Sequence, residues 1–355
     1  MENAPHRHHA LDLLRGLCAV GIATYHYLGQ RGIAHLQSLG TFGVYVFFVL
    51  SALTMMLAYA PDFSRQIERD DLLAFYRNRA ARILPLLVAV SLASFAVRGA
   101  TESLPLHALE GQLALALLTG SGLFGLHLPG FLSNTTGAWS LGIEAGFYLV
   151  FPVLCLCFAR ASMRAVIAAI VVTLFGQQSV IALLARMAVE HPDEWWIRYT
   201  LPLTYAPFFL AGIAVWRAGR QSAPSAAPFL AACGCLTGIA VFSAATGSDV
   251  RTSTAAYLVL SALAAGAVYF SFKSRLPERL NIIAGFLGNI SYALYLTHPF
   301  ALALVSRLHL PPQLDAPVFA LAALTTAAAV YAGFEAPMRR RLRGRRPAHA
   351  SAAAP

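Results

Sequence analysis

Arg15 and His26 stand eleven residues apart inside the first apolar segment, in LDLLRGLCAVGIATYHYLG. At ~100° per residue, eleven residues turn a helix by ~1100°, about 20° beyond three full turns. Both side chains therefore lie on one helix face, roughly 16 Å apart along the axis. Asp12, three residues before Arg15, joins the same stripe and can pair with it. Charged groups are expensive in a membrane helix, so a polar stripe of this kind marks a functional site. Histidine titrates near neutrality, and the chemistry it offers there is proton transfer.

Four further segments carry polar residues that a lipid-facing helix would not choose. FYRNRAARILP (75–85) packs Arg77, Arg79 and Arg82 just before an apolar run. These arginines either anchor the inner membrane face or form an anion cradle suited to phosphates. NTTGAWSLGIEAGFYLVFP (134–152) places Glu144 one turn into a span, with Ser140 beside it. Trp139 and Tyr148 in the same string fit an interfacial aromatic belt; Glu144 has no such reading. LGNISYALYLTHPF (287–300) sets Ser291, Tyr292, Tyr295 and His298 along a span, the last three on one face at i, i+3 spacing. They serve a site or bond one helix to another. YAGFEAPMRR (331–340) puts Glu335 at the end of the last span. There it can pair with Arg339, although Pro337 is expected to end the helix first.

The elements that position these residues are membrane spans. The chain of 355 residues is 58% hydrophobic and 12% charged, with a mean hydropathy of +0.62. A soluble domain averages about 25% charged residues. The net charge of +10 does not indicate nucleic acid, because the basic residues fall in short loops and in the tail RRRLRGRR, where topology needs them and anionic lipid can meet them. Apolar stretches near 20 residues occur at 11–28, 40–58, 83–98, 111–126, 140–158, 165–185, 199–216, 228–245, 254–272, 285–305 and 316–334. The arginine-rich loops 60–82 and 159–164 belong on the same, cytoplasmic side, so an even number of crossings separates them. Segment 111–126, interrupted by Gly120, Gly122 and Gly125, is then re-entrant or peripheral. The expected fold is all-α, with about ten transmembrane helices and both termini cytoplasmic. Arg15 lies toward the cytoplasm and His26 toward the outside. Residues 1–10 and 337–355 read as cytoplasmic tails, the latter basic and disordered. His6, His8 and His9 belong to the first tail rather than to a metal site, and the five cysteines read as small packing residues. The N-terminus has no cleavable signal.

Taken in order, these segments resemble the acyltransferase-3 family of polytopic membrane acyltransferases. The matches are Leu11 to His26, GVYVFFVLSA (43–52) with Ser51, Phe75 to Pro85, Trp139 to Pro152, Leu287 to Pro299, and Glu335, Pro337 and Arg339. Ala52 departs from the glycine that usually follows the serine. The resemblance covers 11–336 and is to the stand-alone form, without the extracytoplasmic esterase-like domain often fused to it. It implies transfer of an acyl group, commonly acetyl from acetyl-CoA, to a hydroxyl of a carbohydrate or lipid-linked glycan, in a bacterial inner membrane. No cofactor is permanently bound.

A sugar hydroxyl is a poor nucleophile until a base takes its proton, and His26 suits that role. Glu144 is expected to orient His26 and stabilise its imidazolium. Arg79 and Arg82, with Arg77 in support, are expected to hold the phosphates of coenzyme A, and Arg15 either contacts the pantetheine side or holds Asp12. A covalent acyl-histidine on His26 is the rival mechanism. Other readings are acylation of a small-molecule or antibiotic sugar, succinyl transfer, or a non-catalytic transporter, for which the paired repeats expected of one are not visible. Acceptor contacts are expected from loops 98–138 and 186–198. Glu190, His191, Asp193, Glu194, Trp195 and Trp196 there form either a sugar platform or a solvated loop.

Overall fold

The computed structural model describes residues 7–33, 36–102, 105–126, 129–187, 194–220, 225, 228–246 and 254–344. These form α1 (His9–Gln30), α2 (Gln37–Phe63), α3 (Arg69–Thr101), α4 (Leu106–Ser121), α5 (Ala138–Phe158), α6 (Met163–Met187), α7 (Glu194–Thr200), α8 (Pro202–Gly219), α9 (Pro228–Thr246), α10 (Thr254–Phe272), α11 (Glu278–Ser306), α12 (Pro312–Val330) and α13 (Ala336–Leu342). A 3₁₀ turn (Leu123–Leu126) follows α4, and a π turn (Tyr331–Glu335) joins α12 to α13. Leucine- and alanine-rich runs satisfy their own backbone groups as helices, as a bilayer demands. Pro202 and Pro312 open α8 and α12, where the missing N–H is not needed.

Eight helices among the described residues are long and apolar enough to cross a membrane. Of the ten expected spans, the two outside this set are α1 and α9. The polar stripe of Asp12, Arg15 and His26 dilutes the apolar character of α1, and the described apolar stretch of α9, Pro228–Ile239, is shorter than a span. Both are helices all the same.

The packing of α1 against α11 positions the polar stripes. The two run in the same direction: Asp12 lies at Gly288, Gly16 at Leu287, His26 at His298 and Gln30 at Ser306. A Cβ on Gly16 would sit 2.4 Å from the Cβ of Leu287, and one on Gly288 would sit 2.6 Å from that of Asp12. Ion pairs pin α1 at both ends. Asp12 pairs with Arg15 at 3.5 Å, as the spacing predicts, and with Arg7 at 2.5 Å, while Arg7 also donates to Asn289 of α11. At the other end Asp315 of α12 accepts from Arg31 at 2.7 Å and from the Tyr27 hydroxyl at 2.9 Å.

Segment 111–126 forms α4 and the 3₁₀ turn after it. α4 runs back along α3, with Leu109 near Gly99 and Gly120 near Val88. Its 16 residues rise about 24 Å, short of the ~30 Å apolar core. The chain reverses at Gly122, whose φ of +74° favours glycine. It returns past α5, where Gly125 and Gly142 touch backbone to backbone, so that Asn134 meets α3 and α4 again.

Both expected tails are shorter than the sequence suggests. Arg7 is held by Asp12 and Asn289, and α1 begins at His9. At the other terminus the π turn ends α12, and Pro337 lies in the first turn of α13, where proline is tolerated. α13 packs on α3, and the Gly344 N–H donates to Asn78 at 3.0 Å. Residues 345–355, like His6, lie outside the described residues.

Gly16→Ala and Gly288→Ala should each destabilise the detergent-purified protein by about 1–3 kcal/mol, since a methyl must be forced between packed helices. Gly29→Ala, with open space around it, should leave the thermal unfolding midpoint unchanged or slightly raised.

Candidate functional site

Three cavities lie in a row along the α1–α11 contact. The first, a vestibule of about 540 Å³, is lined by Arg7, Asp12 and Arg15, by Arg82 of α3, by Ser291 and Tyr292 of α11, and by Glu335 and Arg339. The second is a chamber of about 280 Å³. Arg15, Thr54, Arg82, Ser291 and Tyr292 line both, so the two share a wall. The chamber adds Ser51 of α2, Arg79 of α3, Ser140, Glu144 and Tyr148 of α5, and Tyr295 of α11. The third, of about 350 Å³, holds Tyr25 and His26 of α1, residues 133–137, Trp139, Trp196, Tyr199, Tyr295 and His298.

Charge is divided unevenly along this row. The vestibule and chamber carry Arg7, Arg15, Arg79, Arg82 and Arg339 against Asp12, Glu144 and Glu335. That balance is cationic and suits an anionic ligand. Among the described residues the third cavity has no carboxylate in its lining; its polar groups are hydroxyls, the Asn134 amide, indole N–H groups, two imidazoles and Arg98. Val44 and Tyr295 face both the chamber and the third cavity, and form the partition. Tyr295 is fixed there: its hydroxyl lies 2.7 Å from Ser140 Oγ and donates to the Gly137 carbonyl at 3.0 Å. Gly137 has φ +83°, and a Cβ there would come within 3.0 Å of the Tyr295 ring, so only glycine fits.

The i, i+3 stripe of α11 serves the whole row, with Tyr292 in the vestibule and chamber, Tyr295 at the partition and His298 beyond it. Tyr292 also donates to the Ile83 carbonyl at 2.7 Å, tying α11 to α3. Arg15 and His26 face the row from α1, on either side of the partition.

Three expectations are corrected by this geometry. Glu144 does not orient His26. It lines the chamber and accepts from the Tyr148 hydroxyl at 2.7 Å, whereas His26 lies beyond the partition with its ring against Tyr25 and His298. A similar depth in two spans does not make two side chains neighbours. Arg77 is not in the cradle. It is exposed, and its Nε donates to the Leu342 carbonyl at the end of α13. Arg79 does reach the chamber, with its guanidinium 5.3 Å from the Tyr59 ring centre and 5.6 Å from that of Tyr148. Third, Tyr148 is a buried residue of the chamber lining rather than part of an interfacial belt, whereas Trp139, expected among the supporting residues, lines the third cavity. Glu335 is also buried, and it makes no ion pair with Arg339 within 4.0 Å.

Arg7 went unread in the sequence, and residues 133–137 were read only as part of the 98–138 loop expected to contact the acceptor. Arg7 sat in an apparent tail, although its spacing to Asp12 was available. The loop 133–137 caps the third cavity, and its Asn-Thr-Thr-Gly string was a turn signal. Trp196 joins Trp139 and Tyr199 in an aromatic wall, with ring centres 4.9 to 6.0 Å apart. Glu190, His191 and Asp193, and the side chains of Glu194 and Trp195, lie outside the described residues.

A family model described as an acyltransferase domain matches residues 8–334. Exopolysaccharide production protein ExoZ of Rhizobium meliloti (strain 1021) is 29% identical over 324 residues, covering 88% of this chain and 93% of that protein. No solved structure matches the chain.

The loop over the third cavity depends on Thr119, whose Oγ1 accepts from the Asn134 N–H at 3.0 Å at a fully buried position. Thr119→Val keeps the shape and orphans that donor. It should lower stability by about 1–3 kcal/mol, read as a lower thermal midpoint.

Proposed function

Because the chain belongs to the acyltransferase 3 family, we propose that it transfers an acyl group, most often acetyl, from cytosolic acyl-CoA to a hydroxyl of a carbohydrate. The observation that carries this reading is the row of cavities, cationic at one end and holding His26 at the other. The donor's phosphates bind at the vestibule arginines Arg7, Arg82 and Arg339, a chemistry for which guanidinium is well matched. The pantetheine arm passes Arg15 and Tyr292 toward Tyr295. The Arg15–His26 rise of roughly 16 Å is the depth it must cross. The acceptor waits in the third cavity, where the Trp139, Trp196 and Tyr199 rings offer apolar faces to a sugar. The name of ExoZ, an exopolysaccharide production protein, is in keeping with a carbohydrate acceptor.

The chemistry is a direct displacement. His26 takes the proton of the acceptor hydroxyl as its oxygen attacks the thioester carbonyl. The oxygen–acyl bond forms, the carbon–sulfur bond breaks, and the proton passes to the departing thiolate. Arg15 and Arg79, close to the thioester path, stabilise negative charge. Glu144 holds Tyr148 and balances these arginines rather than assisting His26.

Sidedness follows from loop charge and from helix direction. α1 and α11 run in parallel, so an odd number of crossings lies between them. With α4 re-entrant, α2, α3, α5, α6, α8, α9 and α10 supply seven. The arginine-rich loops then face the cytoplasm of a bacterial inner membrane, together with both termini. The vestibule opens inward and the third cavity outward.

Purified protein with acetyl-CoA and a polysaccharide-derived acceptor tests this reading. His26→Ala should abolish transfer. Arg82→Ala should raise the donor KM about 10- to 100-fold, as expected for a lost charge-assisted bond, whereas Arg77→Ala should leave it unchanged. A full rate in His26→Ala would remove the base from the scheme.

A further inference from the structure

His298 is fully buried on α11, and nothing in the displacement above uses it. Its Nδ1 lies 3.1 Å from the Leu294 carbonyl one turn earlier. A carbonyl only accepts, so Nδ1 carries the proton and Nε2 is left with its lone pair. Nε2 is buried and has no hydrogen-bond partner among the described residues. A buried acceptor without a donor is uncommon and asks for a cause. The donor-bearing rings next to His298 are Tyr295 and His26. The Tyr295 ring centre is 6.4 Å away, and its hydroxyl is already engaged by Gly137 and Ser140. The His26 ring centre is 5.1 Å away, edge to face at 77°, and among the described residues its nitrogens make no hydrogen bond.

We propose that His298 is the positioning residue for His26. With an acceptor in the third cavity, His26 turns about its side-chain bonds to donate one ring N–H to His298 Nε2. Its other nitrogen then presents a lone pair to the acceptor hydroxyl. When that nitrogen takes the proton, the N–H held by His298 keeps the imidazolium oriented. A neutral imidazole thus fills the place that a carboxylate fills in a triad, in a cavity whose lining among the described residues has no carboxylate. The Leu294 carbonyl is integral to this arrangement, because it fixes the tautomer that leaves Nε2 free to accept.

This inference rests on His26 as the base, and the test separates the two. His298→Asn keeps a donor for the Leu294 carbonyl and removes the acceptor at the Nε2 position. His298→Gln can present its amide oxygen at that position. In full-length protein with acetyl-CoA and the same acceptor, His298→Asn should lower kcat about 100-fold, of the order of a lost proton-transfer contribution. The donor KM should stay within about twofold. His298→Gln should hold kcat within about tenfold of the parent. Any residual rate of His26→Ala should not fall further when His298→Asn is added. Unchanged kcat in His298→Asn, or equal losses in folded Asn and Gln variants, would overturn the proposal. So would additive losses in the double variant. If His298→Asn fails to fold, the Gln variant decides, and an inactive but folded Gln protein overturns it. Full activity in His26→Ala alone would instead overturn the base assignment on which it rests.

Discussion

The contact between α1 and α11 governs the site. Gly16 and Gly288 let the two backbones approach until a Cβ on either would collide with its neighbour. That closeness brings a polar stripe of α1 and a polar stripe of α11 to the same row of cavities. Burying arginines, a carboxylate and two imidazoles inside a membrane bundle is unfavourable unless each finds a partner or a ligand. The pairs at the two ends of α1, with Arg7 and Asp12 at one and Arg31 and Asp315 at the other, hold the helix in register while its middle stays open.

Tyr295 converts one polar interior into two compartments. Charged groups collect on the vestibule side, and hydroxyls, amides and imidazoles lie with the aromatic wall on the other. An anionic donor and an uncharged polyol would prefer different compartments for electrostatic reasons alone. Reaction between them requires only the thin end of the donor to pass the Val44–Tyr295 partition. α4 and the loop after it cover the third cavity, held by Thr119 and Asn134.

Much of this was legible in the sequence because helices impose a simple geometry. The shared face of Arg15 and His26, the Asp12–Arg15 pair and the Tyr292–Tyr295–His298 stripe all follow from residues per turn. Segment 111–126 is too short for a span, and the glycines that interrupt it mark the place where the chain reverses. What failed was contact between helices. Glu144 was matched to His26 by depth, but a depth does not say which way a helix is rotated, and α5 presents Glu144 to Tyr148. Arg77 was grouped with Arg79 and Arg82 by sequence proximity, whereas its side chain leaves the chamber for the end of α13. The His26–His298 pair joins residues 272 positions apart. Its two motifs could each be read in the sequence, but their meeting depends on packing.

The central claim is that donor and acceptor reach His26 from opposite sides of the membrane. Uniformly oriented proteoliposomes test it most directly. Acetyl-CoA is supplied only on the side of the Arg339 vestibule, and a carbohydrate acceptor only on the side of the 133–137 loop. The account predicts acyl transfer across the bilayer, and none when the two supplies are exchanged. Transfer that requires both on one side would contradict it.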